Sequence, residues 1–318
     1  MSETPAAAIH HSLPDETAED LRDEIRDRLP DVAVHVAGDE SETERLLVEE
    51  GVPILLTYSL DADLAARADG LRWVQALSSG VDDYDLERLR ARGVTLTNAA
   101  GVHAHPIAQH VFGFLLAVER NFTTAFRQQR EREWDGYEVG ELTGETLGVL
   151  GVGAVGTRVA ELGRAFGMDV IGTKRDPTDA PDAVDELLGP DGTDAVCAAA
   201  DYLVVCCPLT GETRGLVGAE QLALLGGEGV LVNVGRGAVV DEDALVDALR
   251  DGTVRAAGLD VFEEEPLPAE SPLWEMENVV VTPHLAGRSP RLEPRKANLF
   301  AENYRRFVAG EVLRNRVV

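Results

Sequence analysis

Residues 146–166 read TLGVLGVGAVGTRVAELGRAF: an apolar run, a turn with three spaced glycines and an amphipathic segment. The apolar run predicts a buried strand, and residues 157–166 predict a helix. The turn comprises Gly151, Val152, Gly153, Ala154, Val155 and Gly156. Such a turn lets the backbone approach a pyrophosphate at a helix N-terminus, which predicts a dinucleotide-binding unit. An ordinary βαβ unit with a charged loop is the alternative, and the flanking strand and helix argue against it.

A second apolar run, residues 169–173, ends at Lys174 and Arg175. About twenty residues beyond such a turn, an acid would bind the ribose hydroxyls of NAD, whereas two cations suit the 2′-phosphate of NADP. The chain has only two lysines, Lys174 and Lys296, so a lysine at this position indicates a specific role. The pair therefore predicts that NADPH and NADP⁺ are preferred, with NADH and NAD⁺ possible.

Acidic residues dominate the charge of this chain. Asp and Glu number 57 against 29 Lys and Arg, a formal net charge of −28. Such a surface repels nucleic acid and anionic lipid, which excludes both as expected partners. High charge is typical of disorder, but 44% apolar residues indicate a folded protein. An acidic, lysine-poor surface fits a halophilic cytoplasm, where salt screens self-repulsion.

Three cysteines, Cys197, Cys206 and Cys207, lack CxxC spacing, and two lie in an apolar run. They are interpreted as buried reduced thiols rather than as bridges or metal ligands. The sequence opens without a charged leader and an apolar core, and no apolar run approaches the length of a membrane span. A cytoplasmic protein without a membrane partner is therefore expected.

Short apolar runs alternate with amphipathic ones in the first hundred residues, which predicts an open parallel sheet with helices. The predicted strands are 33–37, 54–58, 73–77 and 95–98, and the predicted helices are 16–29, 42–50, 61–68 and 84–91. A long helical stretch over 107–130 is expected to lead into the second α/β region, which holds the glycine turn. A further helix, 291–310, is expected to return to the first domain. The fold class is thus α/β, with two Rossmann-like or flavodoxin-like open parallel-sheet domains and a cleft between them: residues 1–100 with 287–318, and residues 101–286.

Four more apolar runs in the second region resemble buried parallel strands: residues 202–207, 229–234, 256–259 and 279–282. Chemically useful residues follow directly after these runs: Pro208, Arg236, Asp260 and His284. In open parallel sheets, ligands bind beyond the carboxyl ends of the strands, on the edge that carries the glycine turn. These residues, distant in sequence, are therefore expected to converge on one cleft.

Arg236, His284 and Glu265 are the candidate catalytic residues. Arg236 lies between Gly235 and Gly237, and its planar guanidinium matches a carboxylate, although a surface arginine is the alternative. His284 can carry and release a proton near neutrality. A histidine at a strand end is more often structural, but a carboxylate on its second ring nitrogen would orient it and favour its protonated form. Glu265 is the candidate for that carboxylate, whereas Glu263 and Glu264 are interpreted as a solvated acidic loop.

In order and spacing, five motifs resemble the D-2-hydroxyacid dehydrogenase family: Gly151 to Gly156, Pro208-Leu209-Thr210-Gly211-Glu212-Thr213, Asn233 to Gly237, Leu259 to Pro266, and Pro283-His284. The resemblance covers nearly the whole chain. It implies reduction of 2-keto acids to D-2-hydroxy acids by a set of Arg, Glu and His, matched here by Arg236, Glu265 and His284. It further implies that Asp260 contacts the nicotinamide carboxamide, that Pro208, Thr213 and Val234 line the cofactor site, and that homodimers form through the cofactor domain.

The same resemblance implies that the loop Ser78-Ser79-Gly80-Val81-Asp82 holds the substrate carboxylate, with Ser79 and Gly80 as its binding residues. Tyr58, Ser78 and the helix over 107–130 are expected to shape the pocket for the substrate side chain. Small, aliphatic and branched keto acids remain open alternatives.

The sequence departs from the family pattern at two places. An acid usually stands where Lys174 is found, which moves the expected cofactor towards NADP. In the long helical segment, relatives often carry Asn and Glu where this chain has Gln109 and three histidines: His103, His105 and His110. An HxH pair suggests a metal, but without a clustered carboxylate or cysteine a structural role is favoured and no metal is expected.

Two other functions use this fold. Formate oxidation is one, but its enzymes typically carry Gln at the position of Glu265, which argues against it. A nucleotide-sensing regulator similar to the related corepressors is the other. Long unstructured arms often accompany that role, and little sequence outside the two domains is available for them here.

Overall fold

The structure, a computed structural model, describes residues 4–81 and 84–318. The chain divides into two compact units, one formed by Met1–His103 with Ser289–Val318 and the other by Ala104–Arg288. The first unit is therefore built from both ends of the chain and the second from its middle. Asp82, at the end of the loop expected to hold the carboxylate, lies outside the described residues.

A parallel sheet of five strands forms the centre of the first unit, in the order β2-β1-β3-β4-β5. Its strands are β1 (Ala7–Ile9), β2 (Val34–Val36), β3 (Ile54–Thr57), β4 (Trp73–Ala76) and β5 (Thr95–Thr97). Its helices are α1 (Asp15–Arg28), α2 (Glu40–Glu44), α3 (Ala62–Arg67), α4 (Leu86–Ala91) and the C-terminal helix Leu292–Ala309. Phe300 of that helix stacks on Trp73 with ring centroids 5.1 Å apart. The last residues return to the sheet, where the N–H of Val317 donates to the carbonyl of Leu96 at 2.8 Å.

The four strands predicted in this unit are present, each within one residue of its expected bounds. The prediction omitted β1, a three-residue strand rich in alanine, because so short a run has little periodicity. The helix predicted over 42–50 is also different: α2 ends at Glu44, and a single π-helical turn, Arg45–Glu49, follows it. In that turn the adjacent residues Leu46 and Leu47 are both buried.

A parallel sheet of seven strands forms the second unit, in the order β12-β11-β10-β9-β6-β7-β8. Its strands are β6 (Thr146–Leu150), β7 (Asp169–Thr173), β8 (Glu186–Leu188), β9 (Tyr202–Val205), β10 (Val230–Asn233), β11 (Ala256–Leu259) and β12 (Val279–Val281). Its helices are α5 (Ala104–Glu119), α6 (Phe122–Glu131), α7 (Ala154–Ala165), α8 (Thr193–Ala199), α9 (Ala219–Leu225) and α10 (Glu242–Asp251). Two apolar cores pack this sheet between helices. The predicted class, two open parallel-sheet α/β domains, is confirmed.

The long helical stretch predicted over 107–130 consists of two helices in the structure. α5 ends at Glu119, and α6 begins at Phe122 after Asn121, whose φ of 50° is left-handed. Asparagine adopts that conformation more readily than most residues, so the chain can turn there. The Glu119 side chain is buried and accepts hydrogen bonds from the Tyr202 hydroxyl and, at 2.8 Å, from Arg255 Nη2. These contacts hold the end of α5 against the sheet.

The carboxyl ends of β6, β9, β10 and β11 lie on one edge of the second sheet because the strands are parallel neighbours. The loops beyond those ends carry the glycine turn, Pro208, Arg236 and Asp260, which are thereby brought to the same edge. Within residues 4–81 and 84–318, no helix is both long enough and apolar enough to cross a membrane.

Candidate active site

The glycine turn joins β6 to α7 at the carboxyl edge of the sheet. Gly151 has a φ of 96°, and a Cβ atom there would lie 2.7 Å from the backbone of Cys207. A Cβ atom on Gly156 would overlap the carbonyl oxygen of Gly151. Both positions therefore require glycine, one for its backbone conformation and the other for the close approach of helix and strand. A helix was predicted from residue 157, but α7 already begins at Ala154, so the fingerprint itself forms the first turn.

The N-terminus of α7 is suited to an anion. Its N-cap residue, Gly153, has no side chain that could cap the helix. N–H groups of the first turn are therefore left for another acceptor. A Cβ atom on Gly153 would meet no atom within 4 Å, so the space before the turn is open. An uncapped helix end with open space before it fits the pyrophosphate of a dinucleotide. Ala154, Val155 and Gly156 would hold it through their backbone.

Lys174 and Arg175 follow β7 directly. Lys174 is half-buried, and its Nζ donates to the carbonyl of Asp179 at 3.0 Å, while Arg175 is exposed. The nearest acid, Asp176, accepts hydrogen bonds from the hydroxyl of Thr178 at 2.6 Å and from its N–H at 3.1 Å. The Thr178 hydroxyl is the main reason that the pKa of Asp176 is lowered, with a smaller contribution from Lys174. Both hydrogen bonds from Thr178 reach Asp176 Oδ1, so this oxygen is engaged within the loop.

The structure brings His284 and Glu265 together. His284 Nδ1 lies 2.7 Å from Glu265 Oε2, and the other carboxylate oxygen accepts from the Phe262 N–H at 3.1 Å. Glu265 is thereby anchored to its own loop, and its second oxygen orients the imidazole. The side chains of His284 and Glu265 are 53% and 35% exposed, so Nε2 remains accessible to a ligand while Nδ1 is occupied.

Asp260 organises the loop that carries His284. Its side chain is 2% exposed and accepts from the Thr282 hydroxyl at 2.6 Å, the Leu285 N–H at 2.9 Å and the Ala286 N–H at 2.8 Å. Its backbone carbonyl accepts from the N–H of His284, also at 2.9 Å. The family resemblance implies a contact of Asp260 with the nicotinamide carboxamide. Here the carboxylate is buried and binds the turn on both sides of His284.

His110, for which the sequence favoured a structural role, lies next to the Asp260 carboxylate in the structure. Its Nε2 lies 2.9 Å from the Thr282 hydroxyl and 3.8 Å from the Asp260 carboxylate, and its ring packs edge-on against Phe114. Burial lowers the pKa of the His110 imidazole, and the charge of Asp260 partly opposes this. His110 and Thr282 are 172 positions apart, so no local pattern in the sequence could reveal their contact.

Arg236 lies in a loop packed against the one that bears Glu265. A Cβ atom on Gly237 would overlap the carbonyl group of Phe262, so the two loops touch through their backbones. The Asn233 side chain binds the Arg236 carbonyl at 3.1 Å and the Gly235 N–H at 3.1 Å, which fixes the turn after β10. Arg236 itself is exposed, and among the residues that the structure describes its guanidinium donates only to the neighbouring Gly235 carbonyl, from Nη1 at 2.8 Å. Its guanidinium thus retains donors for an anion.

The remaining predicted cofactor residues of this unit also lie at the carboxyl edge. The Thr213 hydroxyl donates to the Pro208 carbonyl at 2.6 Å and accepts from the Thr210 N–H at 2.7 Å, so it closes its own loop. Val234 is buried, and its N–H donates to the Val205 carbonyl at 3.2 Å. Pro208 and Thr213 therefore form an ordered loop, whereas Val234 belongs to the core beneath it.

The predicted substrate residues of the first unit follow adjacent strands. Tyr58 comes directly after β3, and Ser79 and Gly80 lie in the loop after β4. Two hydrogen bonds to carbonyl groups of the loop fix its conformation. The Ser78 hydroxyl donates to the Gly80 carbonyl and the Asn98 side-chain amide donates to the Ser79 carbonyl, each at 2.7 Å. These residues thus share the carboxyl edge of the first sheet.

Comparison with known proteins agrees with this geometry. The sequence model for the "D-isomer specific 2-hydroxyacid dehydrogenase, NAD binding domain" matches residues 112–286. The chain is 39% identical to a glyoxylate reductase of Aeropyrum pernix over 274 residues, which cover 83% of this chain and 81% of that protein.

Solved structures extend the similarity to the whole fold. A D-isomer specific 2-hydroxyacid dehydrogenase family protein from Aeromonas salmonicida superimposes with a TM-score of 0.83 at 33% identity, over 99% of each chain. A D-isomer specific 2-hydroxyacid dehydrogenase from Xanthobacter autotrophicus Py2, in complex with NADPH and MES, gives 0.83 at 34% identity over 99% of this chain and 98% of that one. The chain belongs to the D-isomer specific 2-hydroxyacid dehydrogenase family and is an NAD(P)-dependent oxidoreductase.

Proposed function

We propose that this protein reduces small 2-keto acids to D-2-hydroxy acids, with NADPH preferred over NADH. The observation that carries the proposal is the 2.7 Å contact between His284 Nδ1 and Glu265 Oε2, at an edge that also holds the glycine turn and Arg236. An oriented imidazole, an exposed guanidinium and a dinucleotide turn are the groups that a keto-acid reductase requires.

The residues divide the chemistry between them. The reduced nicotinamide, when bound, supplies the hydride. Arg236 binds the substrate through its free guanidinium donors and stabilises the negative charge that develops on the keto oxygen. His284 delivers the proton from Nε2 to that oxygen, because its Nδ1 is committed to Glu265. Glu265 stabilises the positive charge on the imidazole before the proton leaves and keeps the ring oriented.

The first unit contributes to substrate binding in this proposal. Ser79 and Gly80 bind the substrate carboxylate through backbone N–H groups, and Tyr58 lines the place of the substrate side chain. The carbonyl oxygens of Ser79 and Gly80 support this role because they already accept hydrogen bonds from Asn98 and Ser78. These acceptors are therefore engaged within the protein rather than with the substrate carboxylate.

The preference for NADPH rests on the loop after β7. Lys174 and Arg175 bind the 2′-phosphate in this proposal, because two cations stand directly after β7 where an NAD-binding unit usually carries an acid. A relative of the same fold, the enzyme from Xanthobacter autotrophicus Py2, was solved with NADPH. That complex supports NADPH as the cofactor to test first.

We also propose a homodimer that forms through the cofactor unit. Helix α6 has no buried residue, and large apolar side chains are exposed on it and just beyond it: Phe122 (42%), Phe126 (57%), Trp134 (100%) and Val139 (48%). A cavity of about 810 Å³, bordered by Thr123, Arg127 and Val139, adjoins this segment. A ten-residue helix without core contacts is unstable alone, so a second copy of the chain is the expected partner.

The experiment that tests the proposed function follows the absorbance of NADPH and, separately, NADH as glyoxylate, pyruvate and hydroxypyruvate are added. We expect turnover of at least one keto acid and a higher kcat/KM with NADPH. Chiral chromatography should show the D configuration in lactate formed from pyruvate or glycerate formed from hydroxypyruvate, since the glycolate formed from glyoxylate is achiral. Absence of turnover with every keto acid and both cofactors would contradict the proposal and favour a sensing role.

A further inference from the structure

Lys296 carries a buried ammonium group in the first unit. It lies in the C-terminal helix, and its side chain is 1% exposed. The chain otherwise uses arginine for almost every cation, since Lys174 is the only other lysine. Burial of a charge is costly unless it is paired and hydrogen-bonded. A buried lysine in such a chain therefore points to a specific local requirement.

Its contacts indicate what that requirement is. Lys296 Nζ donates to the Tyr58 hydroxyl at 2.7 Å and to Glu293 Oε1 at 2.9 Å, and it lies 5.1 Å from the centroid of the Tyr58 ring. An ammonium group has donors only, so the phenol oxygen must be the acceptor. The phenol proton then remains available for donation. Within residues 4–81 and 84–318, no second hydrogen-bond partner of Tyr58 is found.

Tyr58 lies where a substrate can meet it. It follows β3 directly, and the neighbouring β4 leads into the loop of Ser79 and Gly80. The two strands are parallel, with Thr57 paired to Ala76, so Tyr58 and that loop share one edge of the sheet. Tyr58 is half-buried, which leaves part of its side chain accessible.

The charges around the phenol favour a neutral group. Lys296 and Glu293 form an ion pair, so the ammonium offers little uncompensated charge to an anion. The second carboxylate oxygen of Glu293 is buried without a hydrogen-bond partner in the described part of the chain. A second carboxylate on a substrate would be repelled by that oxygen, whereas a hydroxyl would not.

We propose that Tyr58 donates a hydrogen bond to an uncharged oxygen on C3 of the keto acid, and that Lys296 is the positioning residue that holds the phenol in this orientation. The inference rests on the proposed function, whose substrate site includes Tyr58. The preferred substrates are then 3-hydroxy-2-keto acids, rather than 2-keto acids with an unsubstituted C3 or dicarboxylic keto acids.

The test measures kcat and KM with NADPH for hydroxypyruvate, pyruvate and oxaloacetate. The wild type should show the highest kcat/KM with hydroxypyruvate. Tyr58→Phe should lower the ratio of kcat/KM between hydroxypyruvate and pyruvate by about tenfold, mainly through KM, because one hydrogen bond is lost. Tyr304→Phe is the matched control: it also removes one tyrosine hydroxyl, which donates to the Pro5 carbonyl at 2.7 Å, and should leave the ratio unchanged.

A double-mutant cycle assigns Lys296 its role. Lys296→Met should lower the same ratio, and it should have no further effect on the ratio in the Tyr58→Phe background. A merely structural lysine would instead lower turnover of all three keto acids in proportion. If Lys296→Met does not fold because Glu293 is left unpaired, Glu293→Gln with Lys296→Met removes both charges and supplies the same comparison.

The outcomes separate the two proposals. Reduction of keto acids with a ratio that Tyr58→Phe does not change would overturn this inference and leave the proposed function standing. If no keto acid is reduced, the proposed function fails. Calorimetry with D-glycerate and D-lactate in the presence of NADP⁺ then tests the Tyr58 contact directly. Equal affinities in the wild type, or no loss for D-glycerate in Tyr58→Phe, would refute it.

Discussion

His284 Nδ1 lies 2.7 Å from Glu265 Oε2, and the backbone of His284 has a φ of 48°. A left-handed conformation is uncommon for a residue with a side chain and persists only where the surroundings enforce it. Here the carbonyl of Asp260 accepts the N–H of His284 at 2.9 Å, and its carboxylate accepts the next two N–H groups. The orientation of the proposed proton donor thus depends on two carboxylates, one on its ring and one beneath its backbone.

Glu265→Gln tests the first of these carboxylates. The amide keeps the size of the side chain but removes the charge that stabilises the protonated imidazole. We expect kcat for keto-acid reduction to fall by about a hundredfold, within the range that acid–base groups contribute, while the Kd of NADPH measured by fluorescence changes little. Glu264→Gln, in the same exposed loop, is the control and should keep normal turnover. A Glu265→Gln enzyme with unchanged kcat would show that the pair is structural.

Asp260→Asn tests the second carboxylate. The amide can accept through one atom only, so at least one of the N–H and O–H donors from Thr282, Leu285 and Ala286 loses its partner in a buried place. We expect a loss of about 1–3 kcal/mol in the free energy of unfolding, measured by urea denaturation, together with a lower kcat. An unchanged unfolding curve would indicate that these buried contacts are not formed in solution.

The two glycines of the turn should respond differently to alanine. A Cβ atom on Gly156 overlaps the Gly151 carbonyl, so Gly156→Ala should cost about 1–3 kcal/mol in unfolding free energy. A Cβ atom on Gly153 meets open space, so Gly153→Ala should leave stability unchanged and weaken NADPH binding, because the methyl group occupies the pyrophosphate position. Equal NADPH affinity in Gly153→Ala and the wild type would place the cofactor elsewhere.

The cofactor preference depends on the loop after β7. Lys174→Ala with Arg175→Ala should lower kcat/KM for NADPH at least tenfold, since charge-assisted hydrogen bonds to the 2′-phosphate are lost, and should alter kcat/KM for NADH much less. Arg26→Ala with Arg90→Ala removes two exposed arginines, of α1 and α4, and controls for the same change in net charge. Parallel losses with both cofactors would mean that these cations do not discriminate between them.

The sequence was informative wherever a local pattern coincided with a strand end. The glycine turn, Arg236 after β10 and His284 after β12 were predicted because parallel strands bring their carboxyl ends to one edge. Contacts between residues that are far apart in the sequence could not be predicted, because no local pattern reports them. His110 meets Thr282 across 172 positions, and Lys296 meets Tyr58 across 238, through packing that only the folded chain defines. The turn at Asn121 was missed because its neighbours continue a helical pattern on both sides.

The most direct test of His284 as the proton donor measures the turnover of His284→Ala beside its affinity for NADPH. We expect keto-acid reduction to be lost while the Kd of NADPH and the thermal unfolding temperature stay close to those of the wild type, because the His284 side chain is 53% exposed. Near-normal turnover in His284→Ala would contradict the assignment of His284 as the proton donor.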